Sequence, residues 1–281
     1  MPNPTGADAG IPAMSAEPGT TRTAVSPPGS QQRLVLPPAV SRASWSAARD
    51  ALLDREKAHT REGDAIAAER RRLPMTAVPS ATVTGAAGPV PLVDVFEGRR
   101  MLIAYFHMWH DGASLADQCE GCTFSTCHMH TLDYLHARDV TYAVFSQGAY
   151  EESAEFAAFM GYNWPWYSAR DATALLAGRG FGFIACYVRD DEGQVFETYW
   201  TTDRGTEALM TSYHALDLTV FGRQERWEAS PDGWPRVPAG EHPWRTAGRP
   251  VAQWSRLRQI QPHPATETVR SQPLTESGAS A

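Results

Sequence analysis

The chain is poor in the features that would place it in several large protein classes. Its 281 residues hold four cysteines, too few for a disulfide scaffold. No run of about 18 apolar residues occurs, so no transmembrane helix is expected. Basic charge is scarce: 25 Lys and Arg stand against 32 Asp and Glu, a net charge of −7, and nothing argues for a nucleic-acid partner. The one dense basic run, Arg70-Arg71-Arg72, closes a helical segment, where cations complement the helix dipole. The N-terminus lacks the basic start and apolar core of a secretory signal, which makes a cytoplasmic location the expectation. What remains, 42% hydrophobic and 20% charged, suits one globular domain with tails.

What the chain does have is a local concentration of thiols. Cys119, Cys122 and Cys127 fall within nine positions, and the first two form the CxxC motif Cys119-Glu120-Gly121-Cys122. The motif follows the apolar run Met101 to Phe106 and precedes a helical segment. Spacing i, i+3 brings both sulfurs to one side of a helical turn, near enough to bridge. Unpaired N–H groups at a helix start favour thiolate over thiol. Cys119 is therefore the candidate nucleophile and Cys122 the candidate resolver of a mixed disulfide. Zinc uses the same spacing, and Cys119, Cys122 and Cys127 with His128 or His130 could close a tetrahedral site. A structural zinc site commonly pairs two such motifs, and there is no second CxxC. The primary reading is thus a dithiol redox pair with no metal and no cofactor.

The organisation along the chain supports an α/β domain. Residues 1 to about 40 are rich in Pro, Gly, Ser, Thr and Ala and are expected to be a disordered tail; 229–281 is expected to be an irregular or disordered one. Between them lie an N-terminal helix at 41–74 and a domain at 75–228. Ser41 or Ser44 can cap the helix and Pro74 ends it, with its first half packing and its second half solvated. Pro89 to Phe96 reads as an edge strand followed by a turn or short helix. Met101–Phe106 and Val140–Phe145 read as strands buried on both faces. Helices are expected at Thr123–Arg138, Glu151–Met160 and Thr206–His214, and a hairpin at Phe181–Val188 and Val195–Trp200 around Asp190-Asp191-Glu192-Gly193. Strand, helix, strand, helix, hairpin, helix is the order of the thioredoxin fold, with parallel pairing through right-handed crossovers in its first part.

A set of ordered motifs sharpens this. They run from the long helix with Ala68-Glu69-Arg70-Arg71-Arg72-Leu73-Pro74, through Val93-Asp94-Val95-Phe96-Glu97-Gly98-Arg99, to the CxxC. Then come His136-Ala137-Arg138-Asp139-Val140-Thr141, Trp164-Pro165-Trp166, Tyr213-His214-Ala215-Leu216-Asp217-Leu218-Thr219 and Gly222-Arg223. In these the chain resembles the bacterial DUF899 family, thioredoxin-like proteins described as dithiol–disulfide oxidoreductases. The resemblance implies a thioredoxin-like fold with a mixed central sheet, and a redox activity on a protein or small-molecule disulfide or oxidant; it names no substrate. The chain departs from thioredoxins in two places. Arg179-Gly180-Phe181-Gly182-Phe183-Ile184 has no proline where thioredoxins carry one facing the CxxC, and His107 to Gln118 is a long loop where theirs is short. These departures keep a peroxidase-like or sensor role in play, and a non-catalytic thioredoxin-like scaffold stands as a third reading.

Other residues carry weaker expectations. Cys127 lies roughly 140° round an ideal helix from Cys122 and is expected to face the core. Cys186 is a packing residue. His107, His110, His128 and His130 flank the pair, and a histidine there could stabilise a thiolate or carry its proton. Asp111, Asp117 and Glu120 would oppose the thiolate. Trp164, Trp166 and Tyr167 are expected in the core or lining a groove near the redox end, and Arg204 and Arg223 in surface salt bridges.

Overall fold

The strand Met101–His107 (β4) organises the molecule. In the computed structural model, which describes residues 35–260, it pairs in parallel with Val140–Ser146 (β5) and antiparallel with Phe183–Arg189 (β7). Both neighbours cover its full length or nearly so, and the period-two pleat of the strand turns its residues alternately into two cores. Leu102, Ala104 and Phe106 face one side; Tyr105 and His107 face the other with Ile103. Phe106 stacks on Phe183 at 4.1 Å between ring centroids, and both are buried.

The remaining strands extend this centre outward. Val195–Thr202 (β8) closes the hairpin with β7, and Thr76–Ala77 (β1) adds to its far edge. On the other side Trp166–Ser168 (β6) runs parallel to β5, followed by Thr82–Gly85 (β2) and the edge strand Gly88–Pro91 (β3). The eight-stranded order is β1-β8-β7-β4-β5-β6-β2-β3. A single turn of 3-10 helix at Leu92–Phe96 and the short helix Thr173–Leu176 (α5) supply residues to the first core. The second core is closed by Glu120–Thr126 (α2) and Tyr150–Met160 (α4). Gly161, in the left-handed region at φ 67°, ends α4 where a glycine stop is expected. The hairpin turn forms as its acids and glycine suggest: Gln194 N–H donates to Asp190 Oδ1 at 2.8 Å, and Gly193 takes φ 83°. This is a thioredoxin-like α/β fold with a mixed sheet flanked by helices.

Several expectations are corrected. Arg42–Arg70 (α1) is the long helix, with Ser41 Oγ accepting from Ser44 N–H as its cap, but neither half is buried. Trp45 and Leu52 are about half exposed, and the contact that carries the helix end to the sheet is Arg70 over the Tyr199 ring. The helix expected over 123–138 breaks into α2 and Asp133–His136 (α3). Thr123, Ser125 and Thr126 each turn a hydroxyl back to the carbonyl four residues earlier, which competes with continuing the helix. The helix at Thr206–His214 is a 3-10 stretch, Asp203–Leu209, followed by Thr211–Leu216 (α6).

The segment from 229 onward differs most from its expectation as a tail. From 245 to 260 it forms a small hairpin, Arg245–Thr246 (β9) with Arg249–Pro250 (β10), and the helix Val251–Ile260 (α7). Its composition is rich in proline and glycine, yet it holds Trp234, Trp244 and Trp254, and these bulky residues have surface to bury. Residues 1–34 and 261–281, the bulk of the expected N-terminal tail and the end of the C-terminal one, lie outside the described residues.

Where β5 meets α4, Gly148 lets the Trp109 indole lie against the backbone: a Cβ built there would sit 2.5 Å from two ring atoms. Gly148→Ala is expected to destabilise the protein by about 1–3 kcal/mol through overpacking. An unchanged urea midpoint would show that the Trp109 contact is loose.

Candidate active site

The CxxC stands where β4 ends. Cys119 is the N-cap of α2 and its sulfur accepts the Cys122 N–H at 3.4 Å. Cys122 lies one turn further, buried, and accepts the Met108 N–H at 3.3 Å. Tyr105, two strand residues before His107 and wholly buried, places its phenol against the Cys122 sulfur. A donor series results: strand groups donate to Cys122, and the Cys122 thiol and N–H donate to Cys119.

Those donors separate the two thiols chemically. The hydrogen bond from the Cys122 thiol, aided by the N–H groups of Cys122 and Gly121, brings Cys119 down to about 7, although partial burial and the Glu120 charge work the other way. Burial pushes Cys122 well up, and the neighbouring Cys119 sulfur adds to that. Both are free thiols. Cys119 is partly exposed and Cys122 is not, so one sulfur can meet an incoming molecule and the other is held behind it.

The long loop before the motif is stapled, not free. Gln118 is fully buried; its Nε2 donates to the carbonyls of His110 and Ala113 and its Oε1 accepts the His110 N–H at 3.0 Å. Asp111 at the loop tip pairs with Arg170. From the C-terminal segment, Gln253 Nε2 donates to Leu115 O at 2.8 Å. Arg245 donates to Ala116 O and to Glu120 Oε2, and His242 Nε2 lies 2.8 Å from Glu120 Oε1. Burial alone would raise the Glu120 carboxyl; its own N–H, Arg245 and His242 hold it below its usual range. Trp244 stacks on Phe124 of α2 at 5.5 Å and approaches Gly121, where a Cβ would come within 3.2 Å of the indole. Glycine between the cysteines is thus what admits the tryptophan.

The flanking histidines are engaged elsewhere. His107 is buried between Phe156 and Trp166, its Nδ1 donates to Met108 O, and burial lowers it to about 4, so it stays neutral. His110 donates to Asp117 O, and His128 lies between Phe124 O and Ser212 Oγ. His130 is exposed. Among the described residues no histidine nitrogen is hydrogen-bonded to Cys119 or Cys122. The alternative zinc set of Cys119, Cys122, Cys127 and His128 is not brought together: among the described residues no three such side chains converge on a metal-sized site. Cys127 points to the other end of α2, donates to Phe124 O, and is raised by burial to about 11. It lines a cleft of about 420 Å³ with His128, Tyr213, Trp244 and Val251, a cleft that contains neither Cys119 nor Cys122. Cys186, in β7, is partly buried and packs against the second core, and its carbonyl accepts from Thr198 Oγ1.

Other expectations resolve as packing. Trp164 and Trp166 are buried beside Tyr162 in the core under α4, and Trp166 Nε1 donates to Ser153 Oγ. Tyr167 packs on the opposite face against Phe145. Arg223 is no surface pair: its side chain is 5% exposed, bridges Glu207 and Asp217, and lies over the Tyr213 ring. Arg204 does pair at the surface, with Glu207. At the start of β7, Gly182 takes φ 97° and faces Met108, where a Cβ would sit 3.2 Å from the sulfur. Gln118, His242 and Arg245 are the site residues that sequence reasoning missed. The one signal was the tryptophan content of the supposed tail.

The family model "Bacterial protein of unknown function (DUF899)" matches residues 34–247, and the chain belongs to that family. No curated protein matches it. Among solved structures it is similar to the peroxidoxin BcpB of Mycobacterium tuberculosis, at 16% identity over 51% of this chain and 97% of that one, with a TM-score of 0.35. It is also similar to a thiol:disulfide interchange protein from Bacteroides sp., at 16% identity over 50% and 88% of the two chains and a TM-score of 0.34. A third is a yeast mitochondrial 1-Cys peroxiredoxin, at 16% identity over 52% and 78%, TM-score 0.32.

Removing the Gln118 staple tests whether the loop is held by it. Gln118→Ala should cost about 1–3 kcal/mol by emptying a fully buried position and removing three hydrogen bonds to the His110 and Ala113 backbone, and should open 108–117 to protease. Protection equal to wild type would mean the C-terminal contacts suffice.

Proposed function

We propose that this protein is a thioredoxin-like dithiol–disulfide oxidoreductase. The observation that carries the reading is the asymmetry of one pair: a partly exposed Cys119 near pKa 7 beside a buried Cys122 whose pKa is raised. Near neutral pH a large share of Cys119 is thiolate, which is the attacking form. The long stapled loop and the C-terminal segment surround the motif and would shape what reaches it. We place the reaction in the cytoplasm, where thiols are kept reduced and a CxxC cycles instead of persisting as a structural bridge.

Cys119 thiolate attacks one sulfur of a substrate disulfide, forming a mixed disulfide and expelling the other half as a thiolate. Cys122 loses its proton to that leaving thiolate and attacks the Cys119 sulfur, expelling the second half as a thiolate, which takes from solvent the proton that Cys119 gave up on ionising. The substrate gains two electrons and becomes two thiols; the protein loses two and holds a Cys119–Cys122 disulfide, which an external dithiol must reduce. Tyr105 and Met108 N–H donate to Cys122 and so stabilise the charge it carries as it attacks.

Two outcomes check this. Alkylation of Cys119 by iodoacetamide should rise with pH and reach half its plateau near 7, because its thiol is lowered to about 7 and protonation below that removes the nucleophile. With a chromogenic aromatic disulfide, Cys119→Ser should abolish release of the thiol, while Cys122→Ser should release one equivalent and accumulate the mixed disulfide. A Cys119 that stays unreactive until the protein unfolds would defeat the proposal.

A further inference from the structure

Glu120 lies inside the CxxC, and its charge opposes the Cys119 thiolate. A motif with a carboxylate between its sulfurs needs that charge answered. The C-terminal hairpin does so. Arg245 Nη1 lies 2.9 Å from Glu120 Oε2, and His242 Nε2 takes the other oxygen at 2.8 Å. The same guanidinium donates to Ala116 O at 2.5 Å and to Gly248 O at 2.9 Å, and reaches Gln118 O at 3.5 Å. It therefore holds both the carboxylate and the backbone leading into Cys119. Its side chain is 21% exposed and that of Glu120 24%, so water screens the pair only in part. Arginine suits the place because its planar fork serves several acceptors in fixed directions; the ammonium of a lysine is a point charge.

We propose that Arg245 is a positioning residue that sets the ionisation of Cys119 by neutralising Glu120 and fixing its carboxylate on the side of the C-terminal hairpin. The proposal rests on Cys119 being the attacking thiol. Other charged groups near α2 are committed. Glu207 is held by Arg204 and Arg223, Arg249 donates to Gln253, and Arg256 lies beside Gly161 near Cys127. Asp117 stands 3.8 Å from Arg245, His110 donates to the Asp117 carbonyl, and Tyr105 and Cys122 face Cys119 from within the core.

The test is the pH profile of Cys119 alkylation, read by peptide mass spectrometry on the full chain, in wild type, Arg245→Gln, Glu120→Gln and the double variant. Arg245→Gln should move the midpoint upward and slow alkylation at pH 7 by about two- to fivefold, as an unopposed carboxylate beside the sulfur requires. Glu120→Gln should move the midpoint down, and adding Arg245→Gln to it should change little. Arg245→Lys, which keeps the charge, should recover part of the rate. Two results would overturn the proposal: a midpoint that Arg245→Gln leaves in place, or an equal shift in the Glu120→Gln background, which would trace the effect to the backbone or to the cation's own field and not to Glu120. If Arg245→Gln does not fold, Glu120→Gln still decides, since a midpoint that fails to fall removes the charge to be neutralised. Alkylation needs no substrate turnover, so a failure of the oxidoreductase reading would leave this result interpretable.

Discussion

The sulfur of Cys122 is tied to the central strand, and the chemistry of the pair follows from that tie. Its donors, Met108 N–H and the Tyr105 phenol, come from β4 or the residue after it. β4 has a strand on either side and cannot shift without breaking two ladders. Cys122 therefore has a fixed position, is buried, and favours the thiol. A thiol is a donor, and the acceptor it finds is Cys119 one turn earlier. The low pKa of one cysteine and the high pKa of the other are two consequences of one arrangement.

The same tie creates a problem that the rest of the chain addresses. A long loop separates the strand from the motif, and a loop of that length has entropy to lose each time it closes. Buried Gln118 restrains it from within, and Gln253 and Arg245 restrain it from the C-terminal segment. That segment is itself anchored through Trp244, which donates to the Tyr213 hydroxyl and stacks on Phe124. Tyr213 in turn lies under Arg223, which bridges Glu207 and Asp217. Residues 203–257 thus act as an outer layer over α2, and their polar contacts converge on the backbone that delivers Cys119.

The elements legible in the sequence are those whose burial is dictated locally. β4 and β5 read correctly because both faces are covered and their apolar runs are continuous; α4 reads correctly because Gly161 stops it; the β7–β8 turn reads correctly because Asp190 and Gly193 carry its chemistry. The CxxC at the head of a helix was legible for the same reason. What escaped depends on distant partners or on competition. The Ser and Thr hydroxyls that shorten α2 look harmless in a propensity reading. β6 is only Trp166–Ser168, too short to show a period, and gains its place from β5 and β2. Clustering of histidines around the motif suggested proton transfer, but His107 turns into the core and His110 and His128 serve carbonyls. The histidine that does reach the motif, His242, lies more than a hundred positions away in sequence, where no spacing rule could connect it.

Cys127 shows how much of the site is made by direction and not by residue type. It belongs to the same short helix as Cys119 and is buried to a similar degree. At the start of α2 a sulfur meets N–H groups, which stabilise negative charge; at the end it meets the Phe124 carbonyl, which can only accept a proton donor. Cys119 is drawn down to about 7, chiefly by the Cys122 thiol and with help from those N–H groups, whereas burial pushes Cys127 up to about 11. Glu120 sits at the favourable end as well, served by its own N–H, and its charge opposes the neighbouring thiolate. In this fold the carboxylate is held by Arg245 and His242. The redox reading of the motif and the folding of the C-terminal segment onto it are therefore one structural question.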